Sequence, residues 1–196
     1  SEIRRIIRVG FELANSRRKR LSSVEKSNVT ETGKLWRAIA NEMSQDYPDV
    51  ELEHVLADAC TMQLLREPGH FDVLVMGNLF GDLISDEVAG IAGSLGTAPS
   101  AQLAGSGLGG ERMFGYYESI HGSAPDIAGK GIANPIATIL SAAFMLKYTY
   151  GLDEEAEAID QAIAKVVKEH RTQDIMEKGK QPVSTKEIGD LIAAAV

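Results

Sequence analysis

Two aspartates, Asp82 and Asp86, stand four residues apart, just after an apolar run at 71–76 that predicts a buried strand. If the chain turns into a helix there, residues four apart share one face. Carboxylates just past the carboxyl end of a strand lie where open α/β sheets bind their ligands. A hard divalent cation such as Mg²⁺ or Mn²⁺ would remove the repulsion between them. The alternative for the pair is an ordinary solvated helix face.

A lysine and a third carboxylate are predicted at neighbouring strand ends. Lys26 follows a short strand that ends at Val24, and Asp58 ends the strand over 51–57. A lysine close to carboxylates and a metal can titrate low enough to act in proton transfer. The alternative for Lys26 alone is an exposed lysine with no chemical role.

The third candidate site is the segment 118–135, which is dense in small residues that would let a ligand approach the backbone. His121 offers a donor or a stacking surface, and Asp126 offers an acceptor for a ribose diol. Asn134 precedes a proline that suits the first turn of an apolar helix. The segment lacks the Gly-x-Gly-x-x-Gly dinucleotide fingerprint, so a conventional Rossmann site is not predicted. The residues alone indicate a loop shaped around a ligand and leave the ligand open.

The elements that must position these side chains alternate between helix and strand in the first half of the chain, which is the pattern of an α/β fold with parallel strands. Helices are predicted over about 1–18, 30–45 and 61–66, and strands over 21–24, 50–57 and 71–76. The composition changes over residues 90–110 to mainly Gly, Ala, Ser and Thr with one Pro, and 105–110 predict a plain glycine-rich loop. A strand over 114–120 and helices over 135–148, 154–169 and 185–195 follow, the last with a cap at Ser184 or Thr185.

The composition is that of an ordinary globular protein, with 44% hydrophobic residues in 196 and a net charge of −8. This charge argues against a nucleic-acid surface, although Arg17–Arg20 is a local basic cluster, interpreted as a solvated helix end. Cys60 is the only cysteine, which excludes an internal disulfide and suits a reducing, cytoplasmic compartment. No apolar run predicts a membrane span. The chain starts without Met inside a helical pattern, so we expect the carboxyl-terminal part of a longer polypeptide.

Six segments resemble the isocitrate/isopropylmalate dehydrogenase family of metal-dependent decarboxylating β-hydroxyacid dehydrogenases. They are residues 23–29, 35–37, 47–54, 58–64, 78–87 and 121–135. The acidic segment and the His-Gly-Ser-Ala-Pro-Asp segment are specific to the superfamily, while Leu-Trp-Arg and Tyr-Pro-Asp-Val-Glu-Leu favour the isopropylmalate branch. The resemblance extends to 171–175 and beyond. It implies this family's α/β fold, with parallel-rich sheets and flanking helices, incomplete in this chain.

The resemblance also implies roles for individual residues. Asp82 and Asp86 match metal ligands of one subunit, and Asp58 and Lys26 match residues that complete the opposite subunit's site in a homodimer, where Lys26 assists proton removal from the substrate's 2-hydroxyl. The implied NAD-binding residues are Glu118, His121, Gly122, Ser123, Ala124, Pro125, Asp126, Ile127 and Asn134. Asp126, which would hold the adenosine ribose, and Ile127 favour NAD over NADP, because a carboxylate repels a 2′-phosphate.

The implied reaction is oxidative decarboxylation of 3-isopropylmalate with NAD⁺, in leucine biosynthesis. Residues 1–92 would belong to the dimer-forming domain that binds metal and substrate, and 93–196 to the NAD-binding domain. The family's substrate-binding arginines, catalytic tyrosine and first βα units match nothing here, so the chain alone is expected to be inactive. Three alternatives stay open: a branch acting on homoisocitrate or tartrate, a non-catalytic subunit, and a nucleic-acid module. The intact Lys26 and the three aspartates argue against the second, and the net charge against the third.

Overall fold

A computed structural model describes residues 2–105, 113–179 and 181–196. The glycine-rich loop predicted at 105–110 therefore lies outside the described residues, apart from Gly105. The chain divides into two compact units. The first comprises the described residues up to Val88 together with Gly105, and the second comprises Ala89 to Ala104 together with the described residues from Met113 onward.

The first unit is a three-stranded parallel sheet with the order β2-β1-β3 and helices between the strands. Its elements are α1 (Glu2–Asn15), β1 (Arg20–Glu25), α2 (Glu31–Met43), β2 (Glu51–Leu56), α3 (Ala57–Arg66), β3 (Val73–Met76) and α4 (Asn78–Ala92), the last reaching into the second unit. In register, Val24 lies opposite both Val55 and Met76, so the three strands end at the same edge. The predicted alternation of helix and parallel strand is confirmed.

Successive residues of β1 point to opposite faces of the sheet, and each face carries its own apolar core. Leu21 packs with residues of α1 and α2, such as Phe11 and Trp36. Val24, on the other face, packs with Leu64 of α3 and with residues of α4. The central strand is therefore buried on both sides, as expected for a parallel sheet.

The predicted start of the third helix is wrong, and it is the boundary difference that concerns a site residue. Helix α3 begins at Ala57 instead of near residue 61, directly after β2. Asp58 thus lies in the first turn of a helix and not at the end of a strand. A carboxylate in a first turn suits the positive end of the helix dipole, which is the preference that the sequence interpretation overlooked.

The second unit contains an antiparallel pair of strands and three helices. Its elements are β4 (Pro99–Ala104), β5 (Phe114–Ser119), α5 (Ile136–Met145), a π-helical turn (Leu146–Tyr150), α6 (Asp153–Val166) and α7 (Thr185–Ala195). Ser184 caps α7 in a capping box with Glu187, so the first of the two predicted cap residues, Ser184 or Thr185, is the cap. Helices α5, α6 and α7 share a core that includes Ile136, Ile163 and Ile188.

Strand β4, which lies within the Gly-, Ala-, Ser- and Thr-rich stretch 90–110, was not predicted. The strand Pro99–Ala104 holds no β-branched or aromatic residue, which is why propensity gave no signal. The strand is stabilised by backbone hydrogen bonds to β5, and not by a strand preference of its own side chains. Among the described residues, no helix combines the length and the apolar character that crossing a membrane requires.

Candidate functional site

The first unit brings Lys26 and Asp58 together at one edge of its sheet. Glu25 and Leu56, the last residues of β1 and β2, are register partners, so the residues that follow each strand emerge side by side. The Nζ atom of Lys26 lies 2.7 Å from Oδ1 of Asp58. The hydrogen bond from Lys26 holds the pKa of the Asp58 carboxyl below its usual value. The predicted proximity of these two residues is thus present within one chain.

Asp82 and Asp86 lie on α4, which begins just after β3, as the acidic motif predicted. Both side chains are exposed, and their face of the helix also carries Leu79 and Leu83, which are 71% and 64% exposed. Ile84, on the opposite face, is buried in the core. Two carboxylates therefore share a helix face with large apolar side chains that the described part of the chain leaves exposed.

The same combination occurs on α3. Asp58 shares a helix face with Met62 and Leu65, which are 59% and 67% exposed, while Cys60 and Leu64 are buried. Burial raises the pKa of the Cys60 thiol to about 11, so the thiol stays protonated and unreactive at neutral pH. Both helices that carry candidate metal ligands thus present an exposed apolar surface beside the carboxylates.

The described residues of one chain do not by themselves form a complete metal site. Within them, no three His, Cys, Asp or Glu side chains are close enough together to hold a metal ion. Asp82 and Asp86 are hard oxygen donors, which suits Mg²⁺ or Mn²⁺, but an octahedral cation needs ligands beyond two carboxylates. The chemistry of the donors fits such a cation, and the pair must receive its remaining ligands from elsewhere.

The second unit contains a pocket of about 760 Å³ built around the small-residue segment. Six of the nine residues implied for NAD binding line it: His121, Gly122, Ser123, Ala124, Ile127 and Asn134. Glu118, Pro125 and Asp126 are not among the lining residues, and Asp126 is exposed. The pocket is large enough for a nucleotide portion of a cofactor, since ligand sites span about 300–1,000 Å³.

The side chain of Asn134, which lines this pocket, links the start of α5 to Asp174. Its Oδ1 accepts a hydrogen bond from the Ile136 amide at the start of α5, at 3.0 Å, and its Nδ2 donates to Asp174, also at 3.0 Å. Burial alone would raise the pKa of the Asp174 carboxyl, but the nearby hydroxyls of Ser94 and Thr172 and the hydrogen bond from Asn134 outweigh burial and lower the pKa. The pocket therefore holds an ionised carboxylate that is already bound by its neighbours.

Sequence reasoning missed the pocket residues that lie far from the small-residue segment, namely Ser94, Leu95, Gly96, Asp174 and Thr185. Gly96 is sterically required, because a Cβ there would lie 2.7 Å from Cβ of Asn134. The only available signal was that Asp174 belongs to the segment 171–175, over which the family resemblance continued.

Hydrogen bonds from the first residue of α7 fix the part of the small-residue segment that contains Gly131 and Ala133. The Thr185 amide donates to the carbonyl of Gly131 at 2.9 Å, and its hydroxyl donates to the carbonyl of Ala133 at 2.5 Å. Ala124 adopts a left-handed backbone conformation with φ of 42°, which is uncommon for a residue with a Cβ. Such strain is found chiefly where surrounding contacts enforce it, and ligand-binding loops are one such place.

The basic cluster 17–20 takes part in ion pairs instead of forming a free cationic surface. Each of its four cations lies 2.9–3.5 Å from a carboxylate. Arg17 and Arg18 share Asp72, whose side chain is fully buried. These pairs give the cluster a structural role in joining the end of α1 to the sheet.

Comparisons with known proteins place these features in a wider setting. The family model described as "Isocitrate/isopropylmalate dehydrogenase" matches residues 1–192. The chain is 54% identical over 196 residues to 3-isopropylmalate dehydrogenase of Halalkalibacterium halodurans and 55% identical over 192 residues to that of Aquifex aeolicus. These alignments include 100% and 97% of this chain but 52% and 51% of the relatives. The chain thus spans about half the length of the curated relatives it matches.

Solved structures show the same relationship. The crystal structure of isocitrate dehydrogenase from Methylococcus capsulatus matches with a TM-score of 0.87 and 37% identity, over 98% of this chain and 55% of that one. A β-decarboxylating dehydrogenase from Thermococcus kodakarensis, in its apo form, matches with a TM-score of 0.82 and 35% identity, over 98% of this chain and 54% of that one.

Proposed function

The chain belongs to the isocitrate/isopropylmalate dehydrogenase family, and from this premise we propose that it is the carboxyl-terminal part of a 3-isopropylmalate dehydrogenase. The complete enzyme would oxidise the 2-hydroxyl of 3-isopropylmalate by hydride transfer to NAD⁺ and release CO₂ from the resulting β-keto acid. The observation that carries the proposal is the Lys26–Asp58 pair at 2.7 Å, at the edge of the sheet where β3 leads into the Asp82–Asp86 helix.

In this proposal the metal site is shared between two subunits of a homodimer. Asp82 and Asp86 of one subunit and Asp58 of the other would hold Mg²⁺ or Mn²⁺. The exposed Leu79, Leu83 and Met62 support this arrangement, because large apolar side chains beside the carboxylates are expected to be covered. When bound, the cation would polarise the substrate's hydroxyl and stabilise the negative charge that develops as CO₂ leaves.

Lys26 would act on the proton of the 2-hydroxyl. In its neutral form, Nζ would accept this proton from the hydroxyl oxygen while hydride passes to NAD⁺ from the carbon that bears the hydroxyl, and Asp58 would orient Nζ through their hydrogen bond. The pocket around Asn134 would bind NAD, with its small residues against the nucleotide and Asp126 toward the adenosine ribose. Substrate recognition by cationic side chains would come from the part of the enzyme that this chain does not include.

The test uses the full-length enzyme, meaning the complete polypeptide of which this chain is the carboxyl-terminal part. We expect NADH formation and CO₂ release with 3-isopropylmalate, and kcat/KM at least about 100-fold lower with isocitrate, homoisocitrate and tartrate, since each lacks the isopropyl group's apolar contacts. A higher kcat/KM for one of those acids would assign the chain to another branch. No turnover of any of the four would overturn the proposal.

A further inference from the structure

Several hydrogen bonds fix the main chain of Lys26, although the residue lies in a turn between β1 and α2. Its carbonyl accepts three hydrogen bonds: from the Val29 amide at 3.1 Å, the Thr30 amide at 2.9 Å and the Thr30 hydroxyl at 3.0 Å. Thr30 is also the N-cap of α2, where its hydroxyl accepts from the Gly33 amide at 3.1 Å. The turn after β1 and the first turn of α2 therefore form one hydrogen-bonded unit around Lys26.

Glu25 fixes this turn from the side of the sheet. It is 2% exposed, and one carboxylate oxygen accepts from Nε and Nη2 of Arg37 at 3.1 and 2.8 Å. The other oxygen accepts a hydrogen bond from the Ser27 amide. Burying a carboxylate is costly unless it is paired, and this one is paired with a guanidinium and with the backbone next to Lys26. A buried carboxylate thus fixes the peptide that follows the lysine.

Gly33 supplies the third restraint. A Cβ at this position would lie 2.7 Å from the carbonyl carbon of Lys26 and 2.7 Å from the amide nitrogen of Ser27. Real Cβ atoms do not approach backbone atoms so closely, so any other residue here would displace the lysine's main chain. Helix α2 can approach the turn only because it has a glycine in its first turn.

We propose that Glu25, Arg37 and Gly33 are positioning residues, which hold the backbone of Lys26 so that its Nζ stays on Asp58 and aligned with the substrate hydroxyl. The inference rests on the function proposed above for Lys26. Displacing a reacting group by about 1 Å can cost about 100-fold in rate, so a small shift of this turn has a large effect. The pocket proposed for NAD is lined by residues of the other unit, so we expect its affinity for NAD to be unchanged by variants of the turn.

The first test compares Glu25→Gln with Glu53→Gln in the full-length enzyme. Glu53 is a matched control, since it is a partly buried glutamate of the neighbouring strand that bonds to Ser22 and His70 and not to the Lys26 turn. In Glu25→Gln, we expect kcat to fall about 10- to 100-fold with KM for NAD⁺ unchanged. We expect Glu53→Gln to retain kcat within about 2-fold, whatever it does to the Tm.

A second readout does not depend on turnover. Acetylation of Lys26 by acetic anhydride, followed by peptide mass spectrometry, reports how well Nζ is held against Asp58. The rate should rise several-fold in Glu25→Gln and stay unchanged in Glu53→Gln. If the wild-type enzyme fails to turn over any of the proposed substrates, the proposed function fails, yet these labelling rates still decide whether Glu25 positions Lys26.

Two glycine variants provide a separate test that does not require Glu25→Gln to fold. Gly33→Ala and Gly189→Ala each place a methyl group in a helix, but nothing lies within 4 Å of a Cβ at Gly189. Gly33→Ala should lower kcat at least about 10-fold and accelerate Lys26 acetylation, whereas Gly189→Ala should change neither. The inference is overturned if the folded Glu25 and Gly33 variants keep wild-type kcat and Lys26 labelling, or if Glu53→Gln loses as much kcat as Glu25→Gln.

Discussion

Nζ of Lys26 lies 2.7 Å from Oδ1 of Asp58, although one residue follows β1 and the other belongs to the first turn of α3. The parallel register of β1 and β2 brings the two together, and they form an ion pair at the sheet edge. A separate exposed face, on α4, carries Asp82 and Asp86. One chain thus presents two sets of polar groups, and the proposed enzyme joins the set of one subunit to that of the other.

Metal binding is the first prediction. In the full-length enzyme with substrate, Asp82→Asn combined with Asp86→Asn should weaken Mn²⁺ binding by at least about 10-fold, because even the loss of a group that only supports a metal ligand typically costs that much. Isothermal titration with Mn²⁺ measures the effect. The control, Asp153→Asn with Glu154→Gln, removes the same formal charge from the first turn of α6 and should leave Mn²⁺ affinity unchanged. Equal affinities in both double variants would refute the ligand assignment.

Cofactor choice is the second prediction. The full-length enzyme should show a higher kcat/KM with NAD⁺ than with NADP⁺, since Asp126 would repel a 2′-phosphate. Asp126→Asn should lower the ratio of kcat/KM for NAD⁺ to kcat/KM for NADP⁺ by about 10-fold, equivalent to about 1.4 kcal/mol of lost discrimination. Asp190→Asn, which removes an exposed carboxylate from α7, should leave the preference unchanged. A wild-type preference for NADP⁺ would contradict the assignment.

The alternation in the first unit could be predicted from sequence because its apolar strands and amphipathic helices have distinct periods. The acidic motif could likewise be placed on a helix after β3. Strand β4 could not be foreseen, because the pairing partner β5 stabilises it and its own side chains carry no strand preference. Asp58 was assigned to a strand because β2 and α3 follow one another without a turn residue.

The pocket shows where sequence reasoning stops for a physical reason. The small residues of segment 121–134 identify it from sequence as a candidate ligand-binding loop. Ser94 and Asp174, in contrast, reach the pocket only through tertiary packing and hydrogen bonds. Nothing local distinguishes such residues from ordinary loop residues. Gly96 is similar, since its requirement follows from the 2.7 Å approach to Asn134 and not from any unusual backbone angle.

This close approach gives the third prediction. Gly96→Ala should lower the free energy of unfolding of the second unit by about 1–3 kcal/mol and weaken NAD binding, because the new methyl group displaces Asn134. Thermal unfolding and fluorescence titration with NADH measure the two effects. Gly69→Ala is the matched control. Both glycines lie in 3₁₀ turns, Gly96 in Leu95–Thr97 and Gly69 in Pro68–His70, but a Cβ at Gly69 would have no atom within 4 Å. A wild-type Tm and NADH affinity in Gly96→Ala would show that the pocket tolerates the methyl group.

The fourth prediction concerns pH and the buried Asp72. Burial alone would raise the pKa of this carboxyl, but hydrogen bonds from Arg17 and from the amides of Arg18 and Arg20 lower it overall. Its stabilising effect should therefore be complete above the unfolded-state pKa of about 3.9 and disappear as the pH falls through the lower folded-state value. Asp72→Asn should cost about 1–3 kcal/mol at pH 7.

Denaturant unfolding of Asp72→Asn and wild type between pH 7 and pH 2.5 tests this dependence. The difference in the free energy of unfolding should shrink as the pH drops below about 4. Asp49→Asn serves as the comparison, because Asp49 is exposed and its ion pair with Lys19 is 3.5 Å long. A difference for Asp72→Asn that persists unchanged to pH 2.5 would show that ionisation of this carboxyl is not what stabilises the fold.

The most direct test of the shared site is a mixing experiment with two inactive full-length variants, Lys26→Ala and Asp82→Asn. Each homodimer would have both sites damaged, but a mixed dimer would carry one doubly damaged site and one intact site. Co-refolding should restore about a quarter of wild-type activity if subunits mix at random, because about half the dimers then hold one good site of two. Mixed dimers verified by mass spectrometry that show no activity would contradict the shared site.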